Sequence, residues 1–304
     1  MRTVIDPGKE RRSINFIDNV LFSQVTDLEG KPLNLYMSLM LQNGNSEMRL
    51  AAGRDDEVST GKQPCLVWIN GAGWRGADKN LMAAEMEYFA ENGFAVACID
   101  YRNSAQGLWP CQLIDVKTAV RFLRAHADKY GIDADRIVTM GRSAGGQLSA
   151  FMAMNTDGYD TEEWGEYSSH VSAAVDYFGP VDMKTLNLME VEKCKNPNYR
   201  WHSLTETHGG ALLGGTVEEI LEKSDGAAPI NFISDKTVPI AIFHGDDDPL
   251  IPWQISETLY NRLVEAGLED QSEFYLVKNG GHGTRELFQP MVKDLVLQFF
   301  RKYV

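Results

Sequence analysis

A serine flanked by glycines, Gly141-Arg-Ser143-Ala-Gly145, falls where the apolar run Arg136 to Met140 gives way to a helical pattern from Ser143 to Met154. A strand-to-helix turn that tight has no room for side chains two residues either side of the serine, and it aims the hydroxyl out of the sheet top. The first N–H groups of the helix, at the positive end of its dipole, then face whatever the hydroxyl attacks. Such a serine does nucleophilic chemistry on a carbonyl. It needs donors for the negative oxygen that forms, and losing one typically costs ~10²–10³ in rate. Asn70-Gly-Ala-Gly-Trp74 follows the apolar run Cys65 to Ile69, and its small residues let backbone come close to a substrate. We read Ala72 and Gly73 as donors from that loop and Ala144 as the donor following the serine.

The serine also needs a base, and six histidines are available. His126 lies in a charged helical stretch and reads as a surface residue. His170 starts a strand, and His202 and His208 fall in an irregular stretch. His244 ends a strand before Gly245, a position that often serves structure. His282, in Asn279-Gly-Gly-His-Gly283, sits between the last strand and the last helix. It is the histidine after Ser143 that leaves room for an acid-bearing strand between, in the order serine, acid, histidine. The acid would hold the imidazole tautomer and stabilise the imidazolium. Asp246, Asp247 and Asp248 all follow the strand ending at His244-Gly245, and periodicity does not choose among them; Asp182 is a lesser candidate. No metal site is expected, because the four cysteines have neither C-x-x-C spacing nor a neighbouring His/Cys cluster. Cys65 and Cys98 lie in apolar runs and read as buried free thiols. No cofactor is called for.

The elements that must position these residues alternate. Val20–Val25 and Leu33–Leu41 read as a hairpin around the turn residues Asp27 to Gly30. A polar stretch, Gln42 to Gln63, reads as a surface loop. Strands are then expected at Cys65–Ile69, Phe94–Ile99, Arg136–Met140, Val171–Phe178, Val238–Phe243 and Glu273–Val277. Between and after them helices are expected at Asn80–Asn92, Cys111–Lys129, Ser143–Met154, Trp253–Ala266 and Leu287–Tyr303. Short apolar strands alternating with helices imply an α/β fold with a mostly parallel sheet covered on both faces. Residues 1–304 are expected to form one domain, with an N-terminal β-hairpin extension at about 15–63 and a cap-like insertion at about 184–231. The insertion breaks the rhythm and carries Tyr199, Trp201, His202 and paired glycines. Trp74, Trp109 and Trp201 are candidates for lining an acyl or aromatic pocket, with core packing the competing role for the first two.

The 304 residues carry 29 basic and 43 acidic side chains, a formal net charge of −14. That field repels phosphate backbones and anionic headgroups, which argues against nucleic-acid and membrane-surface binding. No apolar run approaches the ~20 residues that span a bilayer. The N-terminal residues lack the apolar stretch of a signal peptide, so a cytoplasmic location is expected. The expected partner is a small-molecule ester; oligomeric state is left open, a homo-oligomer included.

Taken together these residues resemble the carboxylesterase side of the α/β-hydrolase superfamily, in particular the bacterial group that includes bifunctional feruloyl and acetyl xylan esterases. The resemblance runs from about Pro64 to the C-terminus. It includes Asp100-Tyr-Arg102, Trp109-Pro110, Asp115-Val116, Tyr130-Gly-Ile-Asp-Ala-Asp-Arg136, Ser143-Ala-Gly-Gly146, His244-Gly-Asp-Asp-Asp-Pro-Leu-Ile-Pro252 and Gly280-Gly-His-Gly283. It implies an α/β-hydrolase fold with a small cap and a serine carboxylesterase acting on acetyl or hydroxycinnamoyl esters of plant carbohydrates, so that the partner would be an oligosaccharide ester. The family's H-G-x-x-D-x-x-V-P pattern places the acid on Asp248. Asn70-Gly-Ala-Gly-Trp74 stands where the family has HGGGW. Ala72 thus replaces a glycine, which still allows a backbone donor, and Asn70 replaces a histidine, which bears on how the loop is anchored. Asp100, Arg102 and Asp115 read as structural hydrogen-bonding residues. The competing readings are an amide hydrolase, arylformamidase-like or prolyl-oligopeptidase-like, and a non-catalytic binding module on the same fold.

Overall fold

Alternate residues of the strand Cys65-Leu-Val-Trp-Ile69 are all apolar and all inaccessible to solvent, as a strand covered on both faces requires. The computed structural model, which describes residues 2–4, 13–42, 62–76 and 78–304, places this strand near the middle of a sheet. The strands are β1 (Ile14–Thr26), β2 (Pro32–Gln42), β3 (Gln63–Ile69), β4 (Ala95–Ile99), β5 (Ile132–Arg142), β6 (Ala173–Tyr177), β7 (Ile240–Gly245) and β8 (Ser272–Val277). Among the described residues they form one eight-stranded sheet in the order β1-β2-β4-β3-β5-β6-β7-β8. The pairs from β4 to β8 are parallel, and the β1–β2 hairpin joins the edge of β4 antiparallel.

The helices are α1 (Ala83–Glu91), α2 (Cys111–Ala125), α3 (Ala127–Tyr130), α4 (Ala144–Ala153), α5 (Met183–Cys194), α6 (His208–Leu213), α7 (Val217–Lys223), α8 (Gln254–Glu265) and α9 (Pro290–Arg301). Strand side chains alternate between faces. Leu66 and Trp68 pack with Met86 and Phe89 of α1 and with Val296 and Phe300 of α9. Cys65, Val67 and Ile69 pack with Val116 and Val120 of α2 and with Leu148 and Phe151 of α4. Each such side chain contributes about 1.5–3 kcal/mol by leaving water. From β3 the chain runs outward to β4 on one side, while β5 pairs with β3 on the other. The carboxyl ends of β3 and β5 therefore flank a switch in strand order, where open α/β sheets place their ligand crevice.

Three elements differ from expectation. The hairpin strands are longer, because Asn19 takes a φ of 55° at a register shift and β1 runs on through a stretch that reads as a break. β5 begins at Ile132 rather than Arg136: Asp133 accepts from Arg136 Nε at 2.8 Å across a bulge facing Gln63 and Cys65. The helix expected from Cys111 to Lys129 divides at His126. Its imidazole bonds the Phe122 carbonyl at 2.9 Å and stacks on the Phe122 ring with centroids 4.2 Å apart. That packing half-buries His126, which composition alone had suggested lies on the surface. Most of the polar stretch Gln42 to Gln63 lies outside the described residues.

Residues 184–231 carry most of α5, then α6 and α7. Thr207 Oγ1 accepts the Gly210 N–H at 3.0 Å to start α6. Thr216 and Glu219 form a reciprocal capping box at the start of α7. Leu204, Leu212, Leu213 and Ile220 of this segment pack into one cluster with Ile255, Leu259 and Leu263 of α8 and with Ala150, Ala153, Ile240 and Ile242 of α4 and β7, so the insertion shares a core with the main body.

Candidate active site

Ser143 stands between β5 and α4 with φ 53° and ψ −122°. That conformation strains a residue with a side chain, and it persists where the surroundings over-determine it. Three glycines do so here. A Cβ on Gly145 would run into the Ile69 carbonyl, one on Gly141 into the Gly145 carbonyl, and one on Gly71 into the Arg142 carbonyl. The Ser143 N–H also bonds the Tyr177 carbonyl at 2.8 Å.

The Ser143 hydroxyl lies 2.9 Å from His282 Nε2, and His282 Nδ1 lies 2.8 Å from Asp248 Oδ2. The imidazole is braced edge-on by Phe178, ring centroids 4.8 Å apart. Asp248 Oδ1 accepts the N–H groups of Leu250 and Ile251 at 2.8 and 3.0 Å. Its Oδ2 also lies 3.2 Å from Nε2 of fully buried His244. That nitrogen also faces the Ile251 carbonyl at 3.0 Å, while Nδ1 faces the Ser256 hydroxyl at 2.8 Å. Two acceptors at Nε2 place the His244 proton there, leaving Nδ1 to accept from Ser256. Burial works to raise the Asp248 pKa, but bonds from His244, His282 and the Ile251 N–H prevail and hold the carboxyl well below its usual range.

The other carboxylates lie elsewhere. Asp246 and Asp247 are exposed, and Asp246 accepts the Asn279 N–H at 2.6 Å. Asp182 caps α5, taking the Thr185 N–H at 3.0 Å. The loop after β3 is tied down through Asn70. Its Oδ1 accepts Gly71 N–H at 3.1 Å and Arg142 Nε at 2.8 Å, and its Nδ2 donates to the Asp78 carbonyl at 2.9 Å. Arg142 is one of the two variable positions of the serine motif, so one amide side chain links the two loops that flank Ser143. Asp115 clamps Arg102 with both carboxylate oxygens, at 2.7–3.2 Å, and supports the strand end next to it.

Ala72, Gly73 and Ala144 line a cavity of about 590 Å³ together with Ser143 and His282. Ala144 opens α4, where the first N–H groups have no intrahelical acceptor. Trp74 and Trp201 line the same cavity. Trp74 is also core, with its indole N–H on Gln147 Oε1 at 3.0 Å. Trp109 is not among the lining residues; it packs on Phe151, centroids 4.9 Å apart, with its N–H on the Gly226 carbonyl. A tryptophan flanked by Leu108 and Pro110 gives no sign in sequence of which face it turns to. The far wall comes from the insertion and includes Glu190, Tyr199, Arg200 and His208. Sequence reasoning did not single out Glu190, Arg200 or His208 as pocket residues; proximity to Trp201 was the one available signal.

His208 packs edge-on to Trp201 with centroids 5.0 Å apart, so close over Gly73 that a Cβ there would lie 2.6 Å from its Nδ1. Burial first, then the charges of Arg75 and Arg200, pushes its imidazole down to about 4, and Nδ1 has no partner. Among the described residues no cluster of His, Cys, Asp or Glu could hold a metal ion, and no helix is long and apolar enough to cross a membrane.

The sequence profile of the BD-FAE family matches residues 55–263, well over half of the chain. The chain belongs to the BD-FAE family. This BD-FAE chain is 30% identical over 221 residues to a probable carboxylic ester hydrolase, LipM, of Mycobacterium tuberculosis, a match covering 69% of this chain and 47% of LipM. The chain spans about half the length of the curated relatives it matches. A truncated carbohydrate esterase from gut microbiota superposes with a TM-score of 0.74 at 27% identity, covering 98% of both chains. An esterase of Thermogutta terrifontis, 20% identical, superposes with a TM-score of 0.70 over 96% of this chain and 92% of its own. The fold is the α/β-hydrolase fold of these esterases.

Proposed function

We propose that this chain is a serine carboxylesterase, with Ser143 as nucleophile, His282 as general base and Asp248 as the acid that orients it. The observation that carries this reading is the unbroken hydrogen-bonded line from Ser143 Oγ through His282 to Asp248, ending in a cavity large enough for an ester. His282 takes the Ser143 proton as Oγ attacks the ester carbonyl. The N–H groups of Ala72, Gly73 and Ala144 receive the oxyanion. The proton passes from His282 to the departing alkoxide, and the alcohol leaves an acyl-enzyme. Water, deprotonated by His282, then releases the acid and frees Ser143.

The substrate we propose is a small acyl ester, acetyl or hydroxycinnamoyl, of a plant xylan-derived carbohydrate. The family and the superposed carbohydrate esterase support it. Trp74 and Trp201 would line the site; Trp109 is left out because it faces the core. We also read residues 1–304 as one unit in which 184–231 acts as the cap. A fluorophosphonate probe and a panel of acetyl and feruloyl esters test the reading. Wild-type protein should label at Ser143 and hydrolyse at least one ester, and Ser143→Ala should do neither. Full esterase activity in Ser143→Ala would overturn it.

A further inference from the structure

The electrostatics of the cavity run against those of the chain that encloses it. Acidic side chains outnumber basic ones 43 to 29 overall, yet among the lining residues one carboxylate, Glu190, faces three cations, Arg142, Lys193 and Arg200. Glu190 is already engaged: Lys193 Nζ donates to Oε1 and the Tyr199 hydroxyl to Oε2, both at 2.8 Å. Arg142 is tethered through Nε to Asn70.

Arg200 is placed differently. Its guanidinium lies over the Trp201 indole, 3.7 Å from the ring centroid, and its hydrogen-bonding neighbour is the neutral Tyr199 hydroxyl. Among the described residues no carboxylate pairs with Arg200. The field it sets up reaches His208 on the same wall, whose protonation both Arg75 and Arg200 disfavour. A guanidinium seated over an aromatic ring keeps N–H donors beyond the one that faces Tyr199, and its planar fork matches a carboxylate. In a chain that otherwise repels anions, such a focus of positive potential draws a negative group to one place.

We infer that the cavity takes esters that carry a free carboxylate apart from the ester bond, with Arg200 as the group that binds it. The inference rests on the carboxylesterase reading above and adds a substrate class to it. The carboxylate has two possible sources: the acyl half, as in a monoester of a dicarboxylic acid, or the alcohol half, as in a uronate-bearing oligosaccharide. Two matched pairs separate them. For the acyl half, the para-nitrophenyl monoester of glutaric acid is compared with para-nitrophenyl valerate. For the alcohol half, meta-acetoxybenzoate is compared with meta-acetoxybenzamide. The quantity read is the ratio of kcat/KM for the anionic ester to that for its neutral partner, so that any general loss in a variant cancels.

In Arg200→Gln that ratio should fall about tenfold for one pair, through KM, as expected for loss of a charge-assisted hydrogen bond. It should recover in part in Arg200→Lys, and in wild type it should decline as salt rises. The responding pair identifies the half of the substrate. If neutral esters are hydrolysed but both ratios are unmoved by Arg200→Gln, the carboxylate inference fails and the esterase reading stands. If neither neutral ester is turned over and Ser143 does not label, the esterase reading fails instead. Calorimetric binding of the two anionic esters to wild type and Arg200→Gln then decides the subsite, and equal affinities overturn it.

Discussion

Asp248 differs from its two acidic neighbours in how fully its oxygens are occupied. Two backbone N–H groups, His244 and His282 all address a side chain with no solvent exposure. Replacing it by asparagine keeps the volume but puts an amide N–H where an acceptor is needed. The imidazole is then driven to the tautomer that cannot take a proton from Ser143. Asp248→Asn should lower kcat by about 10⁴ with little change in KM, measured on any ester the wild type hydrolyses. Spacing left Asp246, Asp247 and Asp248 equivalent, and for a physical reason. The choice depends on the turn Pro249 to Ile251, whose backbone folds back onto one carboxylate, and on His244 beneath it. That Ser143 and His282 would meet was legible from glycine spacing at element junctions, because steric demand at a tight turn is written in the residues themselves. The places of Arg200 and His208 in the cavity wall were not, because they depend on how a segment without repeating pattern packs.

At the scale of elements, the two loops after β3 and β5 behave as one part. Asn70 bridges them through Arg142, and Gly145 lets the start of α4 lie against the end of β3. Asn70→Ala removes three hydrogen bonds around Ala72 and Gly73, the proposed oxyanion donors. It should lower kcat about 10- to 100-fold with KM largely unchanged, since donor placement matters more in the transition state than in the ground state. Gly145→Ala should be far worse: its methyl group has to displace the Ile69 carbonyl, so soluble yield and fluorophosphonate labelling should both collapse. Labelling of Gly145→Ala at the wild-type rate would show that the junction is looser than described. The parallel order of strands followed from apolar runs alternating with helices. The extra length of β1, the bulge in β5 and the break at His126 did not, because each depends on a side chain finding a partner distant in sequence or across the sheet.

Across the whole molecule, two buried carboxylates pull stability in opposite directions with pH. Asp248 is held below its unfolded value, so its contribution is fully present above about pH 4 and is lost below that, as pH falls through the depressed native value. Asp176 at the end of β6 is the reverse. Burial raises it to about 7 against the pull of the Gly179 N–H and His244, and its Oδ2 has no partner. The native state thus binds its proton more tightly than the unfolded chain between about pH 4 and 7, and stability declines as pH rises through that window. Asp176→Asn should remove the decline: its melting temperature relative to wild type should be higher at pH 8 than at pH 5. An equal offset at both pH values would place the shifted carboxyl elsewhere. The glycines that lock Ser143 have one more consequence, for how such a chain can change over generations. Substitutions at Gly71, Gly141 or Gly145 collide with backbone, whereas Arg200 and Tyr199 only line the cavity, from the insertion side. Selection for a new substrate can therefore redraw the wall while the engine beneath it is inherited intact, and a randomised library should recover altered specificity almost wholly from residues 184–231.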